Sequence, residues 1–359
     1  MAETLNVATR KGLFRFERKG EGWSAGSPAF IGQPVTAVLE DRRDGTLYAA
    51  LNLGHFGIKL HRSDNQGRNW TEVAAPALPS EPRNEDAKTV QLIWSLAPGG
   101  KGEAGVLWAG TIPGGLFRSA DRGASWSLVE SLWNVPERAK WFGGGYDDAG
   151  IHSIHVDPRD PAKLTLGVSC GGVWKSDDAG ASWRNVGKGQ RADYVPPDLV
   201  YDIVSQDPHR LAHCAANPDV VWCQHHVSIF RSTDGGVTFD EIKDVKPSPF
   251  GFAVAAHPTD ADTAWFVPAI KDEFRIPVDG KLVVNKTTDG GRTFTAHSKG
   301  LPSAASYDLV YRHALDVDRT GTALAMGSTT GNLWTSADGG ESWTLVSAHL
   351  PPIAQVAFA

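Results

Sequence analysis

An eight-residue pattern recurs along the chain and constrains its fold more than any other feature. It runs 63–70 (SDNQGRNW), 119–126 (SADRGASW), 176–183 (SDDAGASW), 232–239 (STDGGVTF), 287–294 (TTDGGRTF) and 336–343 (SADGGESW). Measured between the third residues (Asn65, Asp121, Asp178, Asp234, Asp289, Asp338), the spacings are 56, 57, 56, 55 and 49. A decayed copy reads RKGEGW at 18–23. A fixed period of this size means that one supersecondary unit is repeated and that its copies bury their apolar faces on one another.

The chemistry of the pattern is that of a turn. The third-place carboxylate accepts hydrogen bonds from nearby backbone N–H groups, glycine tolerates positive φ, and the closing aromatic residue packs between sheets. The pattern resembles the Asp-box, or BNR, repeat of sialidases, sortilin-type receptors, xyloglucanases and the photosystem II stability/assembly factor. That resemblance implies a β-propeller in which the repeated turns are structural and the chemistry is carried elsewhere.

Three β-rich runs precede each turn, for example 154–156, 164–168 and 172–175, and a short run follows it. Each unit therefore reads as four antiparallel strands, A to D, with the repeated turn between C and D. Seven C strands can be counted, at 13–16, 58–62, 116–118, 173–175, 229–231, 282–286 and 333–335. At about 51 residues per blade this predicts an all-β, seven-bladed propeller as a single domain over 1–359. The first blade lacks a strand A in sequence order. The closing run 353–358 (IAQVAF) is expected to supply it, which leaves no long sheet edge exposed.

Because strands alternate in direction, D–A and B–C connections share one end of a blade. The long insertions 76–88, 130–150, 187–208, 243–249 and 268–280 all fall at that end. Loops of this length are where function is expected. His55, His225 and His226 lie in B–C connections, and His152 and His209 occupy equivalent places at the start of strand A, one blade apart. Arg312 and His313 approach the same place in the last blade. His209 and His213 share a strand face if that strand is regular. Imidazoles from rigid strands suit a zinc-like divalent metal, and His152, His209 and His226 are the expected ligands. The other reading is that these histidines fill a polar channel. Asp148, in the glycine-rich run 143–152, is the expected general base, and Arg210 and Arg312 the expected stabilisers of negative charge. Glu85, Asp86, Asp147, Asp202, Asp207, Asp272 and Glu273 are further candidate carboxylates. Arg275-Ile276-Pro277 matches a sialidase motif in its letters, but it falls in the sixth blade and not near the first.

Lysine and arginine number 35 against 41 aspartate and glutamate, a formal charge of −6, which speaks against a nucleic-acid partner. No apolar run has the length of a membrane span. The N-terminus lacks the charged and apolar regions of a signal peptide, and the three cysteines (Cys170, Cys214, Cys223) make no disulfide framework, so a cytoplasmic location is expected. The leading expectation is a hydrolase of small esters, lactones or phosphotriesters using water on a His-bound divalent metal. The alternatives are a sialidase-like glycosidase or glycan-binding propeller, with face tryptophans as sugar platforms, and a non-enzymatic assembly factor.

Overall fold

A computed structural model describes residues 3–79 and 88–359. Glu85 and Asp86 lie outside the described residues. Seven four-stranded antiparallel sheets make the chain a seven-bladed β-propeller. In blade 1 the strand order is Ile353–Phe358, Thr4–Thr9, Gly12–Lys19 and Gly22–Ala25, so the closing run is strand A, as expected from the sequence. No helix among the described residues is long and apolar enough to cross a membrane.

The blades sort into two compact units. One holds residues 1–32, 187–202 and 208–359, which comprise blades 1, 5, 6 and 7; the other holds 33–186 and 203–207, with blades 2, 3 and 4. The B strands are buried almost throughout (Thr46–Asn52, Leu107–Ile112 and Ala264–Pro268), because both faces of a blade are covered. That double burial explains runs such as VLWAG and VVWC, which show no apolar–polar alternation. Trp108 and Trp174 are buried in the second unit, and Trp222, Trp265 and Trp334 in the first.

The repeated turns are held as their chemistry requires. Asp121 Oδ1 accepts from Ser119 Oγ (2.8 Å) and the backbone N–H of Ser125 (2.9 Å), while Oδ2 accepts from Ser125 Oγ (2.6 Å). Gly123 takes φ 80° and donates its N–H to Ser119 Oγ. In the first copy Asn65 Oδ1 takes over both roles, accepting from Ser63 Oγ and the Asn69 N–H, and its neighbour Asp64 pairs instead with Arg122 at 2.6 Å.

Strand A is irregular at the same place in six blades. Thr36, Trp94, His152, His209 and Ala354 are each skipped by the ladder, and in blade 6 the extra residue falls within Phe252-Ala253. A bulge of this kind leaves one residue unpaired and re-aims its side chain. Blade 7, whose strand A is only Leu315–Val317, pairs without one. The bulge at His209 also breaks the alternation that would have set His209 and His213 on one strand face.

Candidate functional site

In the second unit the bulged residues Trp94 and His152 meet edge to face, with ring centroids 5.6 Å apart. His152 is fully buried and its Nδ1 lies 2.9 Å from Ser153 Oγ. Tyr146, half exposed, stands edge-on to the same Trp94 at 5.6 Å. Tyr146 comes from the Gly143-Gly144-Gly145 run, where an added side chain at Gly143 would strike the Tyr146 and Asp147 backbone. The glycines are therefore needed for the tight path that presents this loop.

Asp148, two residues after Tyr146, forms an ion pair with Lys88. Arg138 lies against Trp133 at 3.4 Å from the ring centroid and over Trp141 at 5.7 Å. Burial pulls the Arg138 guanidinium below its usual range, and the charge of Asp148 acts in the opposite direction. Asp148 thus interacts with two cations, Lys88 and Arg138. Asp207, also of this unit and buried, accepts from Ser169 Oγ and the Cys170 N–H, both at 3.1 Å, and so fixes the B–C turn of blade 4.

The first unit repeats the theme with other residues. His209 stacks on Phe252 with centroids 4.4 Å apart and planes 12° from parallel, so bulged positions of adjacent blades again meet. His209 Nδ1 donates to the Gly251 carbonyl at 2.7 Å, which places the ring proton on Nδ1. His226 stands 5.3 Å from His209 and 4.7 Å from Tyr194, whereas His225 is fully buried against Phe230. Of the two adjacent histidines, His226 therefore joins the site. His209 and His226 are the metal-type donors that this unit brings together; His152, the third expected ligand, belongs to the other unit.

Arg210 follows the bulge, and burial pushes its guanidinium down to about 10; Asp316 works against that shift and Arg312 adds to it. Arg312 and Arg275 both approach the Phe252 ring, at 5.2 and 5.4 Å. Asp308, a buried carboxylate that the sequence reading passed over, accepts from Ser306 Oγ, Ser328 Oγ, Thr330 Oγ1 and Asn332 Nδ2. It fixes the B–C turn of blade 7 as Asp207 fixes that of blade 4.

Exposed aromatic side chains are distributed unevenly. Among the described residues they are Tyr194, Tyr201, Phe274 and Tyr307 in the first unit, and Phe56, Phe142 and Tyr146 in the second. All seven stand in D–A or B–C connections, and none in a repeated turn or an A–B turn.

No family model matches the chain. A xyloglucanase of Paenibacillus sp is 26% identical over 253 residues, covering 65% of this chain and 23% of that protein. A xyloglucanase of Acetivibrio thermocellus is 29% identical over 152 residues, covering 36% of this chain and 16% of its own length. The chain therefore spans about a quarter or less of these curated relatives. Among solved structures, the GH74 xyloglucanase from Xanthomonas campestris superposes with a TM-score of 0.67 at 18% identity, over 100% of this chain and 52% of that one. YCF48 bound to D1 peptide gives 0.52 at 15%, over 87% and 83%. Both structural likenesses are of fold.

These relatives correct the leading expectation drawn from the sequence. The proteins matched by sequence are xyloglucanases, which are glycoside hydrolases, and not metal-dependent hydrolases of esters, lactones or phosphotriesters. His152 and His209 share the bulged position with Trp94, so the place recurs as a backbone feature that also accepts another aromatic residue.

Proposed function

We propose that this chain is a carbohydrate-directed propeller of the glycoside-hydrolase kind, which binds a glycan along its D–A and B–C loops, and that its repeated turns are Asp boxes. The confinement of every exposed aromatic side chain among the described residues to those connections carries the reading. A sugar ring offers axial C–H groups to an aromatic face and hydroxyls to nearby polar side chains, so a binding surface needs exposed rings beside carboxylates and cations. Tyr146, Trp94, Asp148 and Lys88 form such a group in the second unit. The sequence matches to xyloglucanases direct the choice of ligand class towards polysaccharide.

Asp148 is the carboxylate assigned to bond cleavage in this proposal. Hydrolysis of a glycosidic bond uses a pair of carboxyl groups, one donating a proton to the leaving oxygen and the other acting as base or nucleophile. Asp148, held in an ion pair with Lys88, is assigned the second task.

The test is binding and reducing-end release against a panel of neutral and acidic polysaccharides, xyloglucan included. Retention on at least one of them, with cleavage lost in Asp148→Asn but binding kept, is the expected result. Failure to bind any member would return the chain to the assembly-factor reading.

A further inference from the structure

The A–B turns of several blades close on the side chain of the residue that ends or follows strand A. Asp41 in blade 2, Asp157 in blade 4 and Asp318 in blade 7 each accept the N–H of the residue two places on, at 3.0, 2.8 and 3.1 Å. In blade 6 the same place is held by His257, which follows strand A (Gly251–Ala256). Its Nδ1 accepts from the N–H groups of Thr259 at 3.2 Å and Asp260 at 3.0 Å. Two donors on Nδ1 put the proton of the neutral ring on Nε2. An imidazole does a carboxylate's work here only while it is neutral.

The ring is held in place. It stacks on Trp265 of strand B, with centroids 5.8 Å apart and planes 27° from parallel. It also packs on Gly321 of blade 7, where an added Cβ would stand 1.8 Å from Nε2. Both contacts oppose a ring flip that would bring another atom to the turn. The turn in its own right fastens blade 6 to blade 5. The Pro258 carbonyl accepts the Ala216 N–H at 2.9 Å, the Ala261 carbonyl accepts the Trp222 indole N–H at 3.3 Å, and Asp262 pairs with Arg231 at 2.6 Å. The charged groups facing His257 are Asp260 on the turn, Lys286 on strand C of blade 6 and Asp318 of blade 7. Asp260 is engaged by the Asp262 N–H and the Thr263 hydroxyl, and Asp318 by the N–H groups of Thr320, Thr322 and Ala323. Burial pulls the imidazole below its ordinary value; Asp260 and Asp318 act against that shift and Lys286 adds to it.

We propose that His257 makes this turn a proton-operated latch. Neutral, its Nδ1 gathers the two N–H groups and holds the turn on blade 5; protonated, it presents a donor to them and releases the turn. The folded turn takes up a proton less readily than the opened one. Closure is therefore complete above about pH 6.5 and weakens as pH falls below it. The inference is independent of the carbohydrate reading. The experiment is hydrogen exchange of the full chain at pH 7.5 and 5.0, followed in peptides covering 257–263 and corrected for the intrinsic rate. Opening is expected to rise several-fold at pH 5.0, below a ceiling of about thirtyfold set by the roughly 1.5 pH units under 6.5. The turn at 157–160, built on a carboxylate, should change little over the same range. In His257→Asn the amide oxygen accepts at either pH, so the rise at 257–263 should vanish. A second measurement, nitrogen NMR of the wild-type protein at pH 7.5, is expected to find Nδ1 of His257 unprotonated. A proton on Nδ1 at that pH, no rise at 257–263, or a rise of equal size in His257→Asn would overturn the proposal. An equal rise at 157–160 would do the same, because it would mark a general loosening by acid.

Discussion

Trp94 and Tyr146 show what a single side chain can do at the loop end of a blade. Trp94 is the unpaired residue of a bulge, and the backbone fixes its direction; Tyr146 rests its edge on it and leaves half its surface to solvent. Removing the Tyr146 ring takes away contact area for a ligand without opening the core. Tyr146→Ala is expected to weaken glycan binding about two- to tenfold, the range of one aromatic pairing, while the melting temperature stays within about a degree. Titration and a thermal melt check the two halves separately, and a large drop in melting temperature would make Tyr146 a structural residue instead. The sequence made some of this legible. The equivalent places of His152 and His209 at the start of strand A are readable in the sequence, and structurally both are bulge residues. What it concealed is that Trp94 holds the same place, because a bulge changes the side-chain period by one residue and leaves no compositional mark. Asp308 escaped notice for a related reason: its partners Ser328, Thr330 and Asn332 are 20 or more residues away.

At the scale of the element, the repeated turn is the most completely legible part of the chain, because every bond that defines it is local. In the C–D turn of blade 5, Asp234 Oδ1 accepts from Ser232 Oγ and from the N–H groups of Val237 and Thr238, and Oδ2 accepts from the Thr238 hydroxyl. Replacement by alanine leaves those donors to water and is expected to lower stability by about 1–2 kcal/mol. The chain contains its own control: Asn65 does the same work at the first turn with one amide oxygen. Asp234→Asn should therefore retain most of the stability that Asp234→Ala loses, as read from denaturant midpoints. Equal losses would show that charge, and not hydrogen-bond geometry, holds the turn. The insertions offered no such local grammar. Their lengths and end of the blade could be read from strand alternation, but the hairpin at 270–276 depends on pairings that composition does not reveal.

Across the whole molecule, the seven-sheet count was readable because one period recurs six times, and the assignment of 353–358 to blade 1 followed from a missing strand. Repetition also makes small local effects collective. Asp178 and Asp289 are held at about 2, chiefly by the hydroxyls of Ser182 and Thr293 and the backbone N–H groups of those residues. At Asp338 burial acts upward, but the bonds from Ser342 and Ser336 outweigh it and the carboxyl again lies at about 2. A carboxylate whose folded pKa is depressed stabilises the fold above its unfolded value, near 3.8. That contribution is lost as pH falls from there towards 2. Because these turns occur in both compact units, acid weakens each of them. The expected outcome is a urea midpoint, followed by tryptophan fluorescence, that drops steeply between about pH 4 and 2. In the triple variant Asp178→Asn, Asp289→Asn, Asp338→Asn the amides keep hydrogen-bonding geometry and cannot titrate, so the drop should be visibly shallower. An unchanged slope would place the acid sensitivity in other carboxylates and remove the repeated turns from its explanation.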